Sequence, residues 1–260
     1  MDTDAMLLML QEVADEVINP RFRALESDQI HEKAPGDLVT DADREAEVII
    51  AARLRAEFPD AAVLGEEAFA GDPRSLERYA AAEHAFTIDP IDGTKNFVRG
   101  SKDHATMLSE SRGGEVVRGW IWQPQHQAAY VAESGAGAYR NGERLTRATP
   151  DPEPASWRPV TSRRRFVGRE LPGLRAFELT WVCCGVDYPQ LVEGAADLVL
   201  YGPPRPWDHA PGGLILREAG GFLGTLDGKV YRAQGPEQRG LIGAADQATY
   251  AHAVGLLDSL

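Results

Sequence analysis

The chain lacks most of the common signals of export, membrane insertion and familiar catalysis. It has no run of about 18 apolar residues, which excludes a membrane-spanning helix. Its N-terminus, MDTDAMLLMLQEVADEV, is acidic and carries no basic segment, so it does not read as a signal peptide. Only two cysteines occur in 260 residues. They are adjacent, Cys183 and Cys184, which excludes an ordinary structural bridge between them and reads as two small buried hydrophobes in a reducing compartment. A cytoplasmic location is expected. Basic residues are scarce as well, 27 Lys and Arg against 40 Asp and Glu, a net charge of −13. Such a surface repels nucleic acid and anionic membrane, so neither is expected as a broad electrostatic partner. An anionic substrate would need local cations to reverse the sign of its site.

Several catalytic signatures are missing too. There is no GxxxxGK[ST] loop, no GxSxG elbow, and no CxxC or HExxH metal motif. The six histidines are scattered. What remains is an ordinary globular composition, 43% hydrophobic and 26% charged, in a length that suits one large domain or two smaller ones.

Met6, Leu7, Leu10, Val13 and Val17 recur at helical spacing, which predicts a helix over 4–18. A second helix starts near 40–43, with Ala46, Ile49, Ile50 and Leu54 on one face, and stops at Pro59. Short apolar runs at 61–65 and 84–88 each end on acid. Residues 115–122, 127–133 and 136–140 alternate and turn like a meander, with Pro124-Gln125 and Asn141-Gly142 as turns. The segment 148–159 has four prolines in ATPDPEPASWRP and is the expected boundary between an N-terminal α+β subdomain (1–147) and a C-terminal α/β subdomain (148–260). Beyond it, strands at 177–184, 197–201 and 240–244 alternate with helices at 186–195, 209–219 and 246–258.

The acids at the strand ends carry the functional reading. VLGEE places Glu66 and Glu67 after one apolar run, and TIDPID places Asp89 after the next. If these strands are neighbours, Glu66 and Asp89 emerge at one edge. Pro90 fixes the turn that lets Asp92 swing back beside Asp89, with the carbonyl of Ile91 left facing the same space. Three carboxylates and a carbonyl are hard oxygen ligands of the kind Mg²⁺ or Mn²⁺ prefers, and without a cation they would repel one another. Gly93-Thr94 follow at the start of a short helix, where free amides attract phosphate. Asp208, in RPWDHAPGG, is expected at a helix N-cap; it is either a cap alone or a further ligand from the second half. Asp43, in VTDAD, has two readings also: a first-turn acid favoured by the helix dipole, or the proton acceptor of Thr94. DxxDGT differs by one residue from the DxDGT of aspartyl-phosphate phosphatases, which displaces the nucleophile and excludes that chemistry. An EF-hand is excluded by the spacing of its acids.

The motifs DLVTDAD (37–43), LGEE (64–67), IDPIDGTKNF (88–97) and WDHAPGGLILREAGG (207–221), in this order, resemble the inositol monophosphatase family within the fructose-1,6-bisphosphatase-like group. The resemblance spans most of the chain. It implies a layered αβαβα sandwich, of mixed α+β and α/β character, and usually a homodimer. It implies a Mg²⁺-dependent phosphatase, often Li⁺-sensitive, that hydrolyses a small phosphate monoester such as an inositol monophosphate by direct attack of water. By resemblance Glu66, Asp89 and the Ile91 carbonyl hold one metal and Asp89, Asp92 and Asp208 a second, with a third ion in some members. Thr94 and Asp43 match the pair that activates water, and the amides of Gly93 and Thr94 the phosphate cradle. Lys33 sits where members carry a basic residue on a loop over the site.

The substrate-selecting positions depart from the pattern. Inositol phosphatases usually carry a Glu seven residues before the Asp208 position; here it is Tyr201. Arg205 matches an Arg of many bacterial members, and Asp187 a polar residue near the substrate. His104 takes a place often held by an aromatic. Histidinol phosphate is therefore an alternative substrate. Arg163, Arg164 and Arg165 would either neutralise a second phosphate of a bisphosphate or form a solvated loop. A non-catalytic regulator or assembly partner on the same fold is the alternative of another class.

Overall fold

A computed structural model describes residues 1–257 of the chain. The first helix, α1 (Thr3–Val13), forms where cap and apolar stripe agree. Asp2 accepts the Ala5 amide at 2.8 Å, and Met6, Met9, Leu10 and Val13 are buried. The expected helix over 4–18 continues beyond Val13 as a separate π turn, Ala14–Ile18, before Pro20. A two-stranded ribbon of β1 (Ile30–Ala34) and β2 (Asp37–Thr40) carries Lys33 and leads directly into α2 (Asp41–Glu57).

The first sheet has seven strands in sequence order: β3 (Ala62–Gly65), β4 (His84–Asp92), β5 (Ala105–Arg112), β6 (Glu115–Gln123), β7 (Ala128–Glu133), β8 (Gly137–Arg140) and β9 (Glu143–Leu145). Only β3 and β4 run parallel, joined through α3 (Glu66–Gly71) and α4 (Ser75–Ala81). A short helix, α5 (Thr94–Val98), separates β4 from β5. Sequence patterning did not indicate β5. It is a central strand buried over its first seven residues, so it lacks alternation, and its polar Ser109 is satisfied by Thr87 at 2.6 Å.

The second sheet comprises β10 (Pro159–Thr161), β11 (Glu178–Leu179), β12 (Leu198–Leu200), β13 (Phe222–Thr225) and β14 (Leu241–Ala244), in the order β11-β10-β12-β14-β13. The strand expected over 177–184 is only Glu178–Leu179, because the chain then leaves the sheet through Val182, whose φ is 59°. β10 and β13 were not indicated by the sequence. The helices of this half are α6 (Cys184–Val192), α7 (Pro206–Glu218) and α8 (Gln247–Leu257); the expected end of the last, at 258, lies outside the described residues.

The layers run α, β, α, β, α. Helices α1 and α2 pack on one face of the first sheet, burying Leu10, Ile50 and Leu54 against Phe86, Leu108 and Trp120. Helices α6 and α7 lie between the sheets, with Leu191, Leu214 and Ile215 packed among Met107, Ile121, Val199 and Leu241. Helix α8 covers the outer face of the second sheet with Tyr250 and Ala253. Each such large apolar side chain contributes about 1.5–3 kcal/mol when fully buried. Although α7 follows the proline-rich segment, it packs along β4 to β8 of the first sheet. That placement brings Asp208 to the end of β4. Among the described residues, no helix is long and apolar enough to cross a membrane.

Candidate active site

In a regular strand, residues three apart point to opposite faces. Asp89 and Asp92 escape this rule. Asp89 pairs with Met107 and Asp92 with Ala105, so three steps on β4 oppose two on β5, and the Pro90-Ile91 bulge turns both carboxylates to one side. The Pro90 carbonyl, displaced from the ladder, accepts a hydrogen bond from Thr106 Oγ1 at 2.9 Å. Asp208 joins them from the first turn of α7. It is not the N-cap, which is Arg205: Pro206 at the first helical position starts the helix earlier than the sequence suggested.

The three carboxylates of Asp89, Asp92 and Asp208 each offer an oxygen within 4.8 Å of the others. Burial pushes all three acids above the ordinary carboxylate range, and their mutual repulsion adds to it; Asp92 lies at about 6. Asp89 Oδ1 is buried with no hydrogen-bond partner. An orphaned carboxylate oxygen among like charges is costly unless a cation offsets it, and the donor set is all hard oxygen. These residues fit a Mg²⁺-like ion.

Asp92 is held from the second half. Its Oδ2 accepts the Gly185 amide at 2.5 Å and the Cys183 thiol at 3.0 Å. The loop before α6 is shaped for this: Asp187 Oδ1 accepts the Trp181 amide at 2.9 Å, and Thr180 Oγ1 accepts the Val182 amide at 3.2 Å. Those bonds hold β-branched Val182 in the left-handed region, a conformation it resists. Gly93 is required by both conformation and space. Its φ is 78°, and a Cβ there would lie 3.0 Å from that of Cys183.

Asp43 uses its two oxygens separately, one at the start of α2 and one toward Thr94. Oδ2 accepts the Thr40 amide at 2.8 Å and the Thr40 hydroxyl, completing a capping box at the start of α2. Oδ1 accepts from Thr94 Oγ1 at 3.2 Å, and that hydroxyl also lies 3.1 Å from the Ile91 carbonyl. Burial raises the Asp43 carboxyl to about 7. Glu66 stands apart from the tight trio. Its Oε1 accepts from Lys33 Nζ at 2.7 Å, and Glu67 accepts from the same ammonium at 2.8 Å. Burial works against the charge on Lys33, but the two glutamates outweigh it and hold its pKa above the ordinary lysine range.

The remaining expected residues lie at different depths. Arg205 is exposed, its guanidinium 5.0 Å from the ring centre of Phe69 on α3, at the rim beside Asp208. Asp187 is buried and occupied within its own loop. Tyr201 is buried too, stacked on Tyr188 and edge-on to His209, with its hydroxyl unpartnered. His104 is buried between the rings of Phe22 and Phe97.

Sequence reasoning missed three supporting groups. Glu47, on α2, accepts the amides of Glu67 and Ala68, each at 2.8 Å, and so caps α3 beneath Glu66. Its signal was an acid on the apolar side of an amphipathic helix. The bonds of Cys183 and Gly185 to Asp92 depend on α6 meeting the end of β4, which the sequence does not show.

The chain is a phosphatase by family and by its relatives, a phosphoric monoester hydrolase. The chain belongs to the inositol monophosphatase family, whose model it matches over residues 2–259. It is 32% identical to an inositol-1-monophosphatase of Mesorhizobium japonicum over 80% of this chain and 79% of that protein. It is 33% identical to a histidinol-phosphatase of Mycobacterium tuberculosis over 86% of this chain and 88% of the other. A solved IMPase/NADP phosphatase complexed with Mg²⁺ and phosphate superposes with a TM-score of 0.82 at 22% identity, over 99% of this chain and 95% of that one.

Proposed function

We propose that the protein hydrolyses a small phosphate monoester by direct attack of water, with divalent metal held by Asp89, Asp92 and Asp208 and by Glu66 and the Ile91 carbonyl. The observation that carries this reading is the acid trio within 4.8 Å, with Asp89 and Asp92 buried and Asp89 Oδ1 unpartnered, beside the Thr94–Asp43 pair. Mg²⁺ bound there, as two ions or three, would neutralise phosphate charge and favour ionisation of water. The chain's own groups do the rest. Thr94 donates to Asp43 and so keeps an oxygen lone pair free to receive a proton from the attacking water. Asp43, with its carboxyl near 7, takes that proton through Thr94 and returns it to solvent, and as the P–O bond to the alcohol breaks the departing oxygen takes a proton from solvent. The amides of Gly93 and Thr94, at the start of α5, orient the phosphoryl oxygens. Lys33 and Arg205 supply the cations that a chain of net charge −13 otherwise denies an anion.

The leaving alcohol we propose is a small polyol, as in an inositol monophosphate, with recognition at Arg205 and the 180–187 loop. A second reading, histidinol phosphate, is supported by Tyr201, which removes the acid expected for binding sugar hydroxyls, and by the similarity to a histidinol-phosphatase. A cytoplasmic homodimer inhibited by Li⁺ completes the proposal. The test is phosphate release from inositol 1-phosphate, histidinol phosphate, fructose 1,6-bisphosphate and adenosine 3′,5′-bisphosphate, with Mg²⁺ and with chelator. Metal-dependent turnover concentrated on one ester names the substrate, and Asp92→Asn should lower kcat on it by about 10²-fold or more. A near-wild-type rate in that variant at saturating Mg²⁺ would sink the ligand assignment.

A further inference from the structure

The basic residues that the chain does possess are unevenly placed. A cavity of about 1070 Å³ opens between the 163–169 segment after β10 and the 225–239 segment after β13. Among the described residues its lining holds six cations and two acids, Asp227 and Glu237, and none of the proposed catalytic residues. Two of the cations have partners: Lys229 bonds Asp227 at 2.7 Å, and Arg232 bonds Glu115 at 2.7 Å. The other four, Arg163, Arg165, Arg169 and Arg239, form no ion pair and no side-chain hydrogen bond among the described residues.

Three of these arginines are gathered around a single ring. The guanidinium carbons of Arg163, Arg165 and Arg169 lie 5.1, 5.4 and 5.3 Å from the centre of Phe166, which is itself buried. Cation–π attraction of about 0.5–1 kcal/mol per exposed pair holds each guanidinium near the ring. It also holds three like charges together, and burial together with Arg165 lowers the pKa of Arg163. Solvated surface arginines relieve such repulsion by spreading apart. Here Arg165 and Arg169 are exposed and Arg163 half-buried, yet all three stay about the common ring, and Arg239 faces the same cavity from the other wall. The remaining lining includes apolar Leu226 and Val230, and the buried Oε1 of Gln238 has no partner.

We propose that this cavity is a second anion site, separate from the catalytic cluster, that binds a small ligand bearing two or more phosphates on an apolar group, a nucleoside di- or triphosphate. Guanidinium forks match phosphate oxygens bidentately, and four of them exceed what a monoester needs. The size of the cavity suits a nucleotide and is generous for inorganic phosphate. An overall charge of −13 disfavours a long nucleic acid, whose further phosphates the chain's net negative charge would repel.

The test is calorimetric titration of ADP, inorganic pyrophosphate and adenosine into the full chain at low salt with excess chelator. Without metal the catalytic carboxylates repel phosphate, so binding reports the basic cavity. ADP should bind more tightly than pyrophosphate, and adenosine should not bind. Arg163→Ala/Arg165→Ala should weaken ADP at least tenfold, and Arg239→Glu should do so independently from the opposite wall. Both variants should keep the wild-type melting profile, and their metal-dependent kcat should stay within twofold of wild type. No binding of ADP by the wild-type chain, or wild-type affinity for ADP in both variants, would overturn the proposal. So would a single-stranded RNA oligomer that binds the same arginines while ADP does not.

Discussion

Replacing Gly185 by alanine adds one methyl group where the second half of the chain meets the proposed metal ligand. A Cβ at this position would lie 2.5 Å from Ala105 Cβ, 3.2 Å from Met107 Sδ and 3.3 Å from Asp92 Oδ2. Carbon atoms pack best at about 3.5–4.0 Å, so the start of α6 must withdraw from β5 by about 1–1.5 Å. Overpacking of this kind costs about 1–3 kcal/mol. The same withdrawal breaks the 2.5 Å bond from the Gly185 amide to Asp92, a charge-assisted bond of about 1.5–3 kcal/mol. Because the two losses share one displacement they do not add fully, and about 2–4 kcal/mol is expected. For a chain of this length that lowers Tm by about 4–16 °C. Displacing Asp92 by about 1 Å should lower kcat/KM for phosphate release by about 10²-fold. Thermal melting and steady-state phosphate release measure the two effects. The decisive comparison is Gly185→Ala combined with Ala105→Gly, which removes the colliding methyl and should restore most of both quantities. A single variant with wild-type Tm and rate, or a double variant no better than the single, would refute the reasoning.

Three further outcomes are expected. Glu110 is buried between Arg112, Arg118 and His84; burial favours its protonation, but the arginines outweigh it and hold its pKa below the ordinary range. Its stabilisation is therefore present above the unfolded carboxylate pKa and lost as pH falls through the lower folded value. Glu110→Gln should cost about 2–4 kcal/mol at pH 7, and the gap to wild type should close in denaturant titrations carried down through that range. Glu47→Ala leaves the Glu67 and Ala68 amides unpartnered at the start of α3 and should cost about 2–3 kcal/mol in urea unfolding; an unchanged midpoint would mean that water replaces the cap. Tyr201→Phe deletes a buried, unpartnered hydroxyl and should leave stability unchanged or raise it by about 1 kcal/mol. A large change in kcat/KM in that variant, without loss of Tm, would instead place the hydroxyl against substrate.

Wherever a local rule decides the outcome, the fold and site were legible from the residues. Periodicity and caps located α1 and α2, and the acid-terminated runs located β3 and β4 with Glu66 and Asp89 at their ends. Failures occurred where tertiary burial overrides pattern. β5 carries Ser109, Glu110 and Ser111 inside a central strand, so no alternation marked it. The residues 180–183 read as a strand because they are apolar and β-branched, whereas Asp187 and Thr180 bind their amides and turn them out of the sheet.

By itself the sequence determined which chemistry the chain holds: Pro90 between two acids, Gly93-Thr94 directly after them, and Asp208 near the start of a helix. These follow from steric limits and charge that act over a few residues. Only the tertiary structure decided how they are assembled. The bulge in β4 turned Asp89 and Asp92 to one side, α7 crossed to the first sheet with Asp208, and α6 set Gly185 and Cys183 against Asp92. It also gave Asp43 its two roles, one oxygen for the helix and one for Thr94. Each of these depends on which faces pack together, a property of the closed core that no short stretch of chain contains.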